Sequence, residues 1–195
     1  MEKNSKMTTN EKLLTDYLKE CNIEYHACIE GGRPMLTIVY RVDNAPGYCV
    51  ESCIYFYEKE AEVGVYYSTL GAEICRKSAY RDGLFRVLNF INAKVFLACC
   101  DGCDGALYEP RMLYTPRICM TEDSYDIVIT TIIPYDFWEI ALLETADYLT
   151  AYCPELLDGL TYDIFGVLIG KITADEAIRS IKRDILGMDD EQAHV

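Results

Sequence analysis

The chain has 195 residues, of which 51% are hydrophobic, and a formal net charge of −14 from 32 acidic against 18 basic residues. This much apolar sequence is enough for a buried core and argues against a disordered chain. Because the surplus of negative charge repels phosphate backbones and anionic lipids, we expect neither nucleic acid nor a membrane as a partner. No stretch approaches the ~20 apolar residues of a membrane span, and the first ten residues have no signal-peptide core. We therefore expect a cytoplasmic protein.

A short amphipathic helix is predicted close to the N-terminus. Thr8 and Glu11 have the spacing of a capping box, with Thr8 as the N-cap. Asn22 suits the left-handed position that follows a helix. Between them, apolar residues recur at helical spacing, namely Leu13, Leu14, Tyr17, Leu18 and Cys21.

An antiparallel meander is predicted after this helix. Short turn sequences, such as Gly31-Gly32-Arg33-Pro34 and Asp43-Asn44-Ala45-Pro46-Gly47, separate runs of alternating apolar residues. Links this short favour antiparallel pairing of consecutive strands. The predicted strands are 24–30, 35–42, 48–57 and 61–68.

The middle of the chain changes from strand to helix periodicity and back. Helices are predicted at 70–80 and from Arg81 to Asn92, followed by a strand at 94–100 and a turn at 101–105. A broken strand at 106–120 contains Pro110 and Pro116, which place it toward a sheet edge. The run at 125–133 predicts a further strand.

The C-terminal third is predicted to be helical. A helix over 136–152 ends at Pro154, a short one spans 161–169, and a third starts at the capping box of Thr173 and Glu176 and ends at Gly187. We therefore divide the chain into a tail, a main domain, a helical extension packed on it and a second tail. These units are 1–9, 10–157, 158–187 and 188–195.

The order helix, meander, helix, strands, helix resembles YbjN-like and type III secretion chaperone-like domains. The resemblance is carried by Leu88-Asn89-Phe90-Ile91-Asn92, by the run 127–142 and by Tyr152-Cys153-Pro154-Glu155-Leu156. It covers roughly residues 10–157 and departs in the fourth early strand, the cysteine-rich hairpin and the C-terminal helices. The resemblance implies an α+β fold, an antiparallel sheet flanked by helices. It also implies a non-enzymatic domain that forms a homodimer and holds a protein or peptide client.

The sequence Cys99-Cys100-Asp101-Gly102-Cys103 is the sharpest local motif. Cys100 and Cys103 have the CxxC spacing that can hold zinc or form a redox disulfide. A structural zinc site needs four ligands, and no second CxxC exists. A redox pair would favour a helix N-terminus, whereas this motif lies in a predicted hairpin. Buried thiols explain it more simply, and a thiol or metal function remains the alternative.

Catalytic motifs are missing from the sequence. His26 and His194 are the two histidines, and neither has the surroundings of a Ser-His-Asp or Cys-His arrangement. The glycines of the predicted turns lack the strand–loop–helix context of a phosphate-binding loop. We therefore expect no catalytic residue and no cofactor.

Exposed apolar surface is the remaining candidate for function. Leu13, Leu14, Tyr17 and Leu18 on the first helix, and tyrosines facing outward from the strands, would bind a partner if they remain exposed. The alternative is that they are buried against the domain itself. The sequence thus predicts a non-enzymatic protein-binding or chaperone-like module.

Overall fold

One antiparallel sheet organises the described residues, 5–96 and 116–188, of this computed structural model. Its strands cross the sheet in the order β1-β2-β3-β4-β6-β5. The predicted meander is confirmed, and β6 joins it by pairing with β4, as in Val65 opposite Ile129. The strands are β1 (His26–Glu30), β2 (Arg33–Arg41), β3 (Cys49–Phe56), β4 (Glu60–Tyr67), β5 (Arg117–Met120) and β6 (Ile127–Pro134).

The helices of the described residues contribute to the same buried core as one face of this sheet. Along β3, buried Val50, Ile54 and Phe56 alternate with half-exposed residues, as expected when one face is covered. The predicted α+β class is therefore confirmed. The helices are α1 (Ser5–Glu20), α2 (Thr69–Lys77), α3 (Arg81–Phe90), α4 (Tyr135–Ile140), α5 (Leu142–Asp147), α6 (Cys153–Gly159), α7 (Thr161–Leu168) and α8 (Ala174–Asp184).

The two ends of the described chain belong to one core. Leu14 of α1, Ile54 of β3, Ile164 of α7 and Ile181 of α8 lie in a single hydrophobic cluster. Residues 158–187, which we expected as an extension packed on the main domain, therefore supply part of its interior. No helix in the described ranges combines the length and the apolar character that crossing a membrane requires.

Helix α1 starts three residues before the predicted N-cap at Thr8, so residues 5–9 are not the tail we expected. The Lys6 ammonium lies 3.0 Å from a carboxylate oxygen of Asp136 and 3.3 Å from one of Glu139. The Asn10 amide also donates to the Lys6 carbonyl at 2.9 Å. The two ion pairs tie the first turn of α1 to α4. The capping box at the other end of the chain is confirmed, because the Thr173 hydroxyl accepts from the Glu176 amide.

A π-helical turn at Ile91–Val95 replaces the start of the strand predicted at 94–100. The Asn92 side chain holds this turn against β5, since it accepts from the Ile118 amide and donates to the Ile118 carbonyl, both at 2.8 Å. β5 is an edge strand, which agrees with the edge position that Pro110 and Pro116 indicated for the predicted strand 106–120. The rest of the predicted hairpin lies outside the described residues.

Pro154 does not end the helical path, contrary to the prediction. A π-helical turn at Tyr148–Tyr152 precedes it, and Pro154 occupies the first turn of α6, a position in which proline is tolerated. The hydroxyl of Thr150, a residue of this turn, donates a hydrogen bond to the Ala146 carbonyl at 2.8 Å. The chain therefore continues as a helix to Gly159.

Candidate functional site

The apolar stripe of α1, our predicted binding surface, packs inward. Leu14 and Leu18 are fully buried in the core, and Leu13 and Tyr17 are half-buried. The Tyr17 hydroxyl donates to a carboxylate oxygen of Asp147 at 2.6 Å, which fastens α1 to α5. The expectation of a free surface at Leu14 and Leu18 is therefore corrected, since these side chains seal α1 onto the body of the protein.

The cysteines of the predicted hairpin, Cys99, Cys100 and Cys103, lie outside the described residues, so a thiol or metal function there stays a prediction. Within residues 5–96 and 116–188, the cysteines are free thiols. The same ranges contain no group of three or more His, Cys, Asp or Glu side chains arranged to hold a metal ion. Burial, followed by the charge of Glu51, raises the pKa of the Cys53 thiol to about 11, which disfavours the nucleophilic thiolate.

The tyrosines on the other face of the sheet are held along it by neighbouring groups. The Tyr55 hydroxyl donates to Glu30 at 2.6 Å and the Tyr57 hydroxyl donates to Glu62 at 2.7 Å. The Tyr66 ring lies so close over Gly64 that a Cβ there would be 2.5 Å from it. The hydroxyls of Tyr55 and Tyr57 therefore already have acceptors, and the Tyr66 ring lies against Gly64.

A groove beside the loop that precedes β3 is a more distinctive surface feature than these tyrosines. Its walls are the 43–48 loop between β2 and β3, Leu70 at the start of α2, and Thr161 and Tyr162 at the start of α7, and it encloses about 520 Å³. Tyr48 is 73% exposed, Leu70 49% and Tyr162 53%. We call this feature the tyrosine groove. It gathers three large apolar side chains at the surface around one concavity.

Asp158 fixes the loop that forms one wall of the tyrosine groove. One of its carboxylate oxygens accepts from the backbone amides of Asn44 at 3.0 Å and Ala45 at 2.9 Å. The other accepts from the Asn44 side-chain amide at 2.9 Å. Hydrogen bonds to an ionised acceptor are stronger than neutral ones. The loop is therefore attached to α6, in the helical layer.

A second attachment lies at the tip of the loop. The Ser68 hydroxyl donates to the Pro46 carbonyl. Gly47 has a φ of +78°, and a Cβ there would lie 3.0 Å from the Ser68 oxygen, so a larger residue meets both backbone strain and a close contact. Pro46 and Gly47 thus sit close against the start of α2.

Tyr48 follows in a conformation that bulky residues rarely adopt. Its φ is +55°, in the left-handed region. Such strain costs about 1–3 kcal/mol and persists only where the surroundings hold it. Here the Tyr48 amide donates to the Ala45 carbonyl at 2.8 Å, and its own carbonyl accepts from Val42 at 3.1 Å. The loop therefore holds an aromatic ring toward solvent at an energetic cost.

The opposite wall is fixed from the interior. The buried Tyr67 ring meets Phe165 edge-on at 4.8 Å, and its hydroxyl donates to the Leu157 carbonyl at 2.5 Å. The Thr161 hydroxyl also donates to the Leu157 carbonyl, at 3.2 Å. These contacts set the start of α7, from which Tyr162 projects.

The charge of the tyrosine groove is negative. Of the described residues that line it, Asp43 alone carries a charge, and no cationic side chain is among them. Asp43 forms no ion pair within the described chain. The lining therefore offers aromatic and aliphatic contact with one carboxylate, which suits binding, and it contains no pairing of nucleophile and base.

Comparison with known protein families, curated proteins and solved structures found no match for this chain.

Proposed function

We propose that the chain is a cytoplasmic, non-enzymatic protein-binding module that holds a segment of a partner protein in the tyrosine groove. The observation that carries this proposal is Tyr48, whose exposed ring stands on a left-handed backbone that hydrogen bonds to its neighbours keep in place. Strain of this kind concentrates at binding sites. An anchored loop also reduces the ordering cost of binding.

The composition of the groove supports the same class of function. Tyrosine supplies a large, rigid contact area with few rotatable bonds, and exposed apolar clusters mark binding surfaces. Leu70 between two tyrosines is such a cluster. The resemblance to chaperone-like domains favours a protein client and a homodimer, although a fold by itself does not assign a partner.

A phage-displayed library of linear peptides, selected on the intact protein, tests the proposal. We expect the enriched peptides to bind the double variant Tyr48→Ala/Tyr162→Ala about tenfold more weakly or worse, a loss of ~1.4 kcal/mol or more. Both side chains are exposed, so the variant should unfold at nearly the same temperature as the parent protein.

The matched control is Ile140→Ala, which removes an exposed apolar side chain from α4. This variant should bind the selected peptides as the parent protein does. The proposal fails if no peptide is enriched, or if the enriched peptides bind the double variant as well as they bind the parent.

A further inference from the structure

We infer that the tyrosine groove selects a basic side chain, lysine or arginine, from the partner segment, an inference that rests on the proposed function. The rings of Tyr48 and Tyr162 and the side chain of Leu70 offer apolar contact to a long aliphatic stem. Lysine and arginine place such a stem on apolar surface while their charged ends reach a polar group. Asp43, an exposed residue of the groove lining, offers a carboxylate as that group.

The electrostatics of the groove favour a cation over a neutral occupant. With Asp43 as the charged residue of the described lining, an incoming lysine or arginine brings the positive charge that the lining lacks. The whole chain carries a net charge of −14, which adds long-range attraction for basic segments. A leucine or phenylalanine would use the same walls but leave Asp43 without a counter-charge.

The aromatic walls also attract cations directly. The Lys171 ammonium already lies 5.2 Å from the centroid of the Tyr162 ring, within the range of a cation–π contact. Lys171 lines a neighbouring cavity, with Tyr80 and Gly83, and does not line the groove. The Tyr48 ring has no such partner among the described cations, so an incoming ammonium or guanidinium would be the one to meet it.

The phage-selected peptides test this inference through single replacements. Each lysine or arginine of a groove-dependent peptide is replaced by norleucine, which keeps the stem and removes the charge. We expect one such replacement to weaken binding to the parent protein about tenfold. Against Asp43→Asn the same replacement should change binding much less, since the two changes remove one interaction.

Asp123→Asn is the matched control, because it removes the same charge from an exposed turn between β5 and β6. It should leave the effect of the norleucine replacement unchanged. The inference would be overturned if the norleucine replacement weakened binding to the parent protein and to Asp43→Asn equally. Groove-dependent peptides without any basic residue would also overturn it. In both of these outcomes the proposed function still stands. An empty selection, by contrast, would refute the proposed function and the inference together.

Discussion

Asp158 binds Asn44 at two points, since its two carboxylate oxygens accept from the backbone amide and from the side-chain amide of this one residue, at 3.0 and 2.9 Å. The same carboxylate also accepts from the next amide along the chain, that of Ala45. A single side chain of α6 thus orients the loop that carries Tyr48.

Asp158→Ala should therefore loosen the loop and destabilise the protein. Loss of hydrogen bonds to a charged acceptor should lower the free energy of unfolding by about 2 kcal/mol in urea denaturation. The amides of Asn44 and Ala45 should exchange with deuterium faster. Asp175→Ala is the control, because its exposed ion pair with Arg86 is worth at most about 1 kcal/mol. Unchanged exchange at the two amides would contradict the anchoring role.

Tyr48→Asn should separate stability from binding. Asparagine tolerates the left-handed conformation better than tyrosine does, so the free energy of unfolding should rise by about 0.5–1 kcal/mol. Loss of the exposed ring should at the same time weaken binding of the phage-selected peptides. Urea denaturation and fluorescence anisotropy measure the two effects. A variant that binds as tightly as the parent would show that the strained position serves another purpose.

Asp163 should give the stability of the protein a distinct dependence on pH. This aspartate is buried beneath α8, and one of its carboxylate oxygens has no hydrogen-bond partner among the described residues. Burial raises the pKa of Asp163 from 3.8 to about 6, Ser180 opposes the shift, and Asp184 and Arg183 act in opposite directions. The folded state therefore holds this proton more tightly than the unfolded chain does.

This difference in proton binding makes the folded state less stable as the pH rises. Between about pH 4 and 6, the contribution of Asp163 to stability should fall as the pH rises, by on the order of 3 kcal/mol, and stay constant above that range. Asp163→Asn should remove this dependence. Unfolding measured in urea at several pH values should show the variant gaining on the parent as the pH rises. A constant difference between the two proteins would refute this assignment.

Native mass spectrometry of the reduced protein tests the homodimer and the thiol alternative together. We expect the mass of two chains without metal, as the chaperone-like resemblance implies. A monomer that retains zinc would instead favour a site at Cys99, Cys100 and Cys103. Cys103→Ser supplies the check on stability, because it should change the unfolding free energy little unless these thiols hold a metal.

Alternation made the strands of the meander and β6 predictable, and capping made the start of α8 predictable. Val63, Val65 and Tyr67 alternate toward the buried face of β4, and Thr173 with Glu176 forms the capping box that its spacing indicated. The path through Pro154 was not predictable in this way. It depends on a π-helical turn, which no residue pattern announced, and proline before a helical segment reads as a stop.

The tyrosine groove was even less accessible from the sequence. The sequence predicts that the run from Asp43 to Gly47 separates two strands, and in the structure it lies between β2 and β3. Its anchor, Asp158, lies 114 residues from Asn44 in the chain, and tyrosine gives no sign that it will adopt a left-handed backbone. The prediction of a binding surface on α1 was wrong for a different reason. An amphipathic helix has the same apolar pattern whether it packs internally or binds a partner.

The position of β4 between β3 and β6 has a consequence for synthesis of the chain on the ribosome. A tight turn joins β3 to β4. β6, the other neighbour of β4, starts only at Ile127, after two helices and the segment that follows them. Nascent β1–β4 can pair locally, but the far edge of β4 then waits with unpaired amides and carbonyls until Ile127–Pro134 has emerged. An unpaired edge of this kind recruits other strands. Premature termination upstream of β6 should therefore yield an aggregating product instead of a smaller stable domain.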